Sequence, residues 1–297
     1  MLQVIMPSSH SPISESDLNT SHSSVQRILS AVCSLNLNSI RVLLTKGPGP
    51  ALDFIRHSHH LHSGFGLFHL WNWMSWRDDL RIPSRKVDEL FPEVDFVRAP
   101  QILYPFPRNL GVVTQELVVL TKVVSHFEAK RVIEFGTAEG RTALNIAAHL
   151  PPGGEIVTLD LPPIPGKNDI GYFYWDQPHK IKIRQVFASV DNWNSGPYHA
   201  SADVVFCDAC DSMPGLAAEA FQAFSVVKRG GVIFRHDYGS AEGPTRFWDW
   251  LAQELPIYHI EGTFLLCLRV NSEATYNTIQ QFLAHPVLRN SVHLSSE

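Results

Sequence analysis

Arg131-Val-Ile-Glu-Phe-Gly-Thr-Ala-Glu-Gly-Arg-Thr142 constrains the fold more than any other stretch of the chain. A short apolar run leads into Gly-x-x-x-Gly and then a helical pattern, which predicts a buried strand over 132–135, a sharp turn and a helix over 141–150. Gly136 and Gly140 let the backbone turn and approach a ligand closely, where a Cβ would collide with it. Glu134, at the strand's carboxyl end, is placed to accept hydrogen bonds from a cationic ligand. An ordinary strand-to-helix turn would use the same glycines, so this segment alone leaves function open.

The flanking sequence supplies the rest of an α/β pattern. From Gly111 onward helical and strand signals alternate, the mark of a parallel sheet covered by helices. Thr114 is the expected cap of a helix reaching Phe127, and further strands are expected over 155–160, 181–187, 202–208 and 232–234. Helices are expected over 213–227 and 244–255, with a turn over 228–231. The runs 257–260 and 263–269 lie close enough to pair as a hairpin. The expected fold is therefore a Rossmann-like, doubly wound, mostly parallel seven-stranded α/β sheet with a C-terminal antiparallel hairpin. It spans 99–271, with a C-terminal helix and tail over 272–297.

Residues 1–24 are rich in Ser, His, Asn and Pro and are expected to be disordered, because they carry too little apolar surface to offset the entropy of ordering. Region 25–98 has no assigned role. Its histidines His57, His59, His60 and His62 read as solvated, and Trp71, Trp73 and Trp76 as packing residues. A net charge of -5 without a long single-sign run disfavours nucleic acid and membrane surfaces as partners. No window reaches the roughly 18 apolar residues of a membrane span, and four cysteines without a framework spacing suit a reducing, cytoplasmic compartment. Cys207-x-x-Cys210 lacks the second pair that a zinc site needs.

The second expected strand narrows the ligand. It ends in Asp160, 160 − 140 = 20 residues after the second glycine, where a ribose-binding acid belongs. A nicotinamide dinucleotide would need Gly-x-Gly-x-x-Gly, and Ala138 and Arg141 stand where its second and third glycines would be. S-Adenosylmethionine (SAM) has no pyrophosphate and needs no such cradle.

Several motifs occur in order: Glu134-Phe-Gly-Thr-Ala-Glu-Gly-Arg-Thr142, Thr158-Leu-Asp-Leu-Pro-Pro163, Phe206-Cys-Asp208, Gly230-Gly-Val-Ile233, His236-Asp-Tyr238 and Glu261-Gly-Thr263. Over roughly residues 90 to 270 the chain resembles the class I small-molecule methyltransferases of the methyltransferase 24 family, relatives of macrocin-type sugar O-methyltransferases. The resemblance implies SAM as cofactor. Glu134, Gly136, Thr137, Gly140 and Thr142 would wrap its methionine end, Asp160 would hold the ribose and Leu161 would pack on adenine. Ser189 would meet the adenine amino group, although the family's usual Asp-Ser reads Ser189-Val190 here. Asp208 would face the cofactor from the end of the fourth strand.

Two mechanisms fit the remaining residues. In one, Asp208 and Asp237 hold a divalent ion such as Mg²⁺, which lowers the pKa of an acceptor hydroxyl. In the other, His236 takes the proton directly. The family's Phe-Ile-Asp-Gly-x-His-x-Tyr reads Phe206-Cys-Asp-Ala-Cys-Asp-Ser-Met213, so Asp211 is either an alternative base or a cap for the helix beginning near Pro214. Phe173, Tyr174 and Trp175 lie in a long loop expected to overhang the cofactor as a lid. The leading expectation is O-methylation of a small hydroxylated acceptor. A non-catalytic SAM-binding module and an NAD-dependent oxidoreductase are the alternatives.

Overall fold

The computed structural model describes residues 80–105, 111–164, 170–239 and 242–292. The expected disordered segment, the histidine cluster and the three tryptophans fall outside them.

Eight strands form one sheet: β1 (Ser84–Arg85), β2 (Arg131–Phe135), β3 (Glu155–Asp160), β4 (Ile183–Phe187), β5 (Ala202–Cys207), β6 (Val227–Arg235), β7 (Ile257–Ile260) and β8 (Leu266–Arg269). Their order is β1-β7-β8-β6-β5-β2-β3-β4. Neighbours from β4 to β6 pair in parallel, whereas β8 runs antiparallel to both β6 and β7. The expected mostly parallel sheet and terminal hairpin are present, but the strand count of seven was too low. The additional strand β1 pairs in parallel with β7, through Ser84 beside His259. Two exposed residues carry no alternating pattern, so it could not be read from the sequence.

The helices are α1 (Val87–Leu90), α2 (Thr114–His126), α3 (Arg141–His149), α4 (Met213–Val226), α5 (Glu242–Leu251), α6 (Glu273–Ala284) and α7 (Pro286–Arg289). Alternate residues of each strand face opposite sides of the sheet. Ile133, Leu159 and Val205 pack with α4 and α6 on one face, while Val132, Ile156, Val204 and Phe206 pack with α2 and α3 on the other. Phe91 and Val94 join the second core, so residues before 99 are built into the same body.

Three local features differ from expectation. Thr114 is the first helical residue and not the cap; the Val113 N–H is instead taken by the Glu116 carboxylate. The turn over 228–231 is a bulge inside β6, where Ala202 pairs with Val227 but Val204 with Val232, and Gly230 sits at φ +80°. Phe173 and Tyr174 are buried, and the Gly171 and Phe173 amides bond the carbonyls of Ala138 and Glu139. That stretch is fastened to the glycine turn and does not hang over it as a lid.

Tyr238 ties the segment before β1 to the sheet. Its hydroxyl accepts the Ile82 and Arg81 amides at 3.0 and 3.2 Å and donates to Asp249 at 2.7 Å. Tyr238→Phe leaves these buried groups short of a partner and is expected to cost about 1–3 kcal/mol in urea unfolding. Unchanged stability would show that this anchor is dispensable.

Candidate active site

A cavity of about 440 Å³ opens at the carboxyl edge of the sheet, where β2, β3 and β5 end. Gly136, Asp160, Leu161, Ser189, Asp208 and Cys210 are among its lining residues. The volume is in the range of small-molecule and cofactor sites. Asp160 accepts the Ala138 and Leu161 amides at 2.8 and 2.7 Å, one on each oxygen, which fixes its carboxylate beside the turn with lone pairs to spare. Ser189 accepts a bond from the Asn192 side chain, and Asp191 lines the same wall.

Glu134, Thr137 and Thr142, also expected to meet the cofactor, are buried beside this surface. Glu134 is fully buried beneath the turn; one oxygen accepts from the Thr158 hydroxyl and the other, Oε1, has no hydrogen-bond partner. Burial, reinforced by the Asp208 and Asp160 carboxylates, pushes its pKa up to about 8 despite the Thr158 bond. Thr137 turns inward, 2.7 Å from the Thr158 hydroxyl, where Gln185 also donates to it at 3.0 Å. Thr142 is buried in the first turn of α3.

The glycines serve the protein's own packing. A Cβ on Gly136 would lie 2.5 Å from the Asp208 carbonyl oxygen, and one on Gly140 would lie 2.4 Å from the Tyr174 ring. Both residues have positive φ, +93° and +80°. Close approach of β5 and of Tyr174, neither visible in a local reading, accounts for both glycines.

The ends of β5 and β6 bring Asp208, His236 and Asp237 together, with one ligand atom of each within 4.8 Å of the others. His236 is buried. Its Nδ1 lies 3.1 Å from Asp208 Oδ1 and 3.4 Å from Asp237 Oδ1, and its Nε2 lies 3.0 Å from Glu116 Oε2. Burial alone would lower its pKa, but the Asp208, Asp237 and Glu116 carboxylates outweigh burial and hold it well above the ordinary value. With carboxylates facing both ring nitrogens, neither nitrogen is open toward an acceptor's proton in this arrangement. That geometry argues against His236 as the direct base and for a role held between the flanking carboxylates. Asp237 adopts φ +66°, a backbone state uncommon for a residue other than glycine and frequent at functional sites.

Asp211 changes role as well. The helix is capped by the Ser212 hydroxyl, which accepts the Gly215 amide, so Asp211 is not the cap. Its side chain is 78% exposed, 3.8 Å from Arg235 and outside the cavity lining, which argues against a base in this cavity.

Three charged residues that support the site were missed in the sequence. Arg235, only 1% exposed, donates to the carbonyls of Cys207 and Cys210 and holds the turn that carries Asp208. Glu219 is fully buried, accepts the Ala209 amide at 2.8 Å and lies 3.5 Å from Arg235. Glu116 is fully buried against His236. The available signal was a lone charge within each apolar run. Beyond the cavity, Arg141 donates to the carbonyls of Tyr104, Pro105 and Val112 and so pins that segment over α3.

Sheet order, carboxyl-edge cavity and acid-bearing second strand form a Rossmann-like α/β site at the edge where such sheets bind nucleoside cofactors. Residues 104–238 match the family model described as O-methyltransferase. No curated protein matches the chain. Among solved structures, cofactor-bound Rv0187 from MTB is 19% identical, with 75% of this chain and 98% of that one covered at a TM-score of 0.44. TomG from Streptomyces achromogenes, an O-methyltransferase involved in tomaymycin synthesis and in complex with SAM, is 17% identical, covering 66% and 95% at 0.42. The O-methyltransferase from Bacillus cereus in complex with SAH is 17% identical, covering 65% and 95% at 0.41. Likeness at that level identifies neither acceptor nor site. Among the described residues no helix is long and apolar enough to cross a membrane.

Proposed function

We propose that this protein transfers the methyl group of SAM to a hydroxyl of a small acceptor, with a divalent ion held by Asp208, His236 and Asp237. The observation that carries this reading is the double position of Asp208, which lines the cofactor-sized cavity and contacts His236 in the metal-competent cluster. An acceptor hydroxyl bound to the ion would thus lie next to the cofactor. The methyltransferase 24 resemblance and the O-methyltransferase match support oxygen as the acceptor atom and a sugar or secondary metabolite as its source.

SAM supplies an electrophilic methyl on sulfonium, and a bound divalent ion lowers the pKa of a coordinated hydroxyl. The chain's part is positioning. Asp160 holds the ribose hydroxyls, Leu161 and Ser189 flank adenine, and Gly136 with the first turn of α3, including Thr142, surrounds the methionine end. Glu134 offers its unpaired oxygen to the methionine ammonium, which fits a buried acceptor otherwise left without a partner. Thr137 and Gly140 act behind this surface, as packing for the turn.

Calorimetric titration of SAM into the purified protein tests the reading. Micromolar affinity is expected, and Asp160→Ala is expected to weaken it roughly ten- to hundredfold through loss of charge-assisted hydrogen bonds. Methyl transfer to hydroxylated acceptors, followed as SAH release, should fall on addition of EDTA. Absence of SAM binding, or turnover indifferent to EDTA, would overturn the corresponding half of the proposal.

A further inference from the structure

Glu116 is not among the residues lining the cofactor cavity, yet both of its carboxylate oxygens are engaged. One carboxylate oxygen accepts the Val113 amide at 2.8 Å and lies 3.0 Å from His236 Nε2, while the other accepts the Phe264 amide at 2.7 Å. Two backbone donors from separate elements, the N-terminus of α2 and the segment entering β8, therefore hold the carboxylate in place. A carboxylate facing Nε2 sets the proton there and leaves Nδ1 as the atom that points at the acids. Nδ1 lies 3.1 and 3.4 Å from Asp208 Oδ1 and Asp237 Oδ1. Cis ligands of an octahedral ion with bonds of ~2.1 Å stand roughly 3.0 Å apart, so both separations suit neighbouring positions on one ion.

Resting on the metal centre proposed above, we infer that Glu116 is a positioning residue that makes His236 Nδ1 a metal ligand, and that the site consequently selects a first-row transition ion such as Mn²⁺ over Mg²⁺. Mg²⁺ takes oxygen ligands and gives up its waters reluctantly, whereas imidazole nitrogen suits the transition ions. The sequence expectation of Mg²⁺ on two aspartates left out the nitrogen between them. Removing a carboxylate that orients a ligating histidine lowers metal affinity about 10–100-fold.

The test uses the full chain stripped of metal with a chelator. Mn²⁺ and Mg²⁺ are titrated separately by calorimetry, and the Mn²⁺ form is examined by electron spin echo spectroscopy for coupling to a directly bound imidazole ¹⁴N. Mn²⁺ is expected to bind at least about tenfold more tightly than Mg²⁺, with ¹⁴N coupling present. Glu116→Gln should weaken Mn²⁺ by about 10–100-fold while Mg²⁺ changes less. His236→Asn, which keeps a polar side chain but removes the imidazole, should abolish the ¹⁴N signal and the preference for Mn²⁺; it carries the test if Glu116→Gln does not fold. Equal affinity for the two ions, absence of ¹⁴N coupling, or unchanged Mn²⁺ affinity in folded Glu116→Gln would overturn the inference and leave the metal centre standing. Binding of neither ion by a protein that still binds SAM would overturn the metal centre itself.

Discussion

Gly136→Ala is expected to destabilise the protein by roughly 3 kcal/mol and to abolish measurable SAM binding. Two effects add. An alanine at φ +93° pays the penalty for an L-residue at positive φ, on the order of 1–2 kcal/mol. Its Cβ would also lie 2.5 Å from the Asp208 carbonyl oxygen, a backbone atom that cannot swing aside. The Asp208 amide bonds the Phe135 carbonyl at 2.8 Å, so relief must come from shifting the end of β5 against β2. That shift moves the carboxylate that serves both the cavity and the His236 cluster. Gly153 provides the control: it has φ +74° with nothing within 4 Å of a built Cβ, so Gly153→Ala carries the backbone penalty alone. Urea unfolding of both variants isolates the collision as their difference. Equal losses would show that the contact with Asp208 is soft and that the glycine is required for its φ only.

Long apolar strands and amphipathic helices were legible because burial imposes a period, and β2, β3, β5, β7 and α2 through α4 lie close to where that period places them. Asp160 and Asp208 were legible because residues at the carboxyl ends of parallel strands face the crevice. What escaped depends on partners distant in sequence. Tyr174 dictates Gly140 from 34 residues away, and Glu116 reaches His236 across 120 residues. His236 illustrates the point most directly. Its unperturbed pKa made it an attractive base, but carboxylates brought in by β5 and α2 face both of its ring nitrogens. Asp211 was misread for a more local reason: Ser212, one residue on, is equally able to cap, and the exposed position fell to the acid.

SAM affinity is expected to rise about tenfold per pH unit between pH 5.5 and 7.5, and Glu134→Gln is expected to flatten that slope. In the free protein burial holds the Glu134 pKa at about 8, so the carboxyl is protonated across this range. Its ordinary value is 4.5. A folded-state pKa above the unfolded one makes a contribution to stability that is complete below pH 4.5 and is lost as pH rises through about 8. The ligand-free protein should accordingly become less stable over that window, as seen in thermal unfolding. A cation placed at Oε1 favours the ionised form, so binding the methionine ammonium requires Glu134 to release its proton. Below the free-state pKa each unit of pH then costs the complex about 1.36 kcal/mol, or tenfold in affinity. Calorimetry at pH 7 in buffers of different ionisation enthalpy should register close to one proton released per SAM bound. Glutamine keeps the size and the bond from Thr158 but has no proton to lose, so both the pH slope and the proton release should vanish. A slope that survives in Glu134→Gln would assign the titration to the Asp208 and His236 cluster, and a flat wild-type profile would mean that the ammonium is held elsewhere.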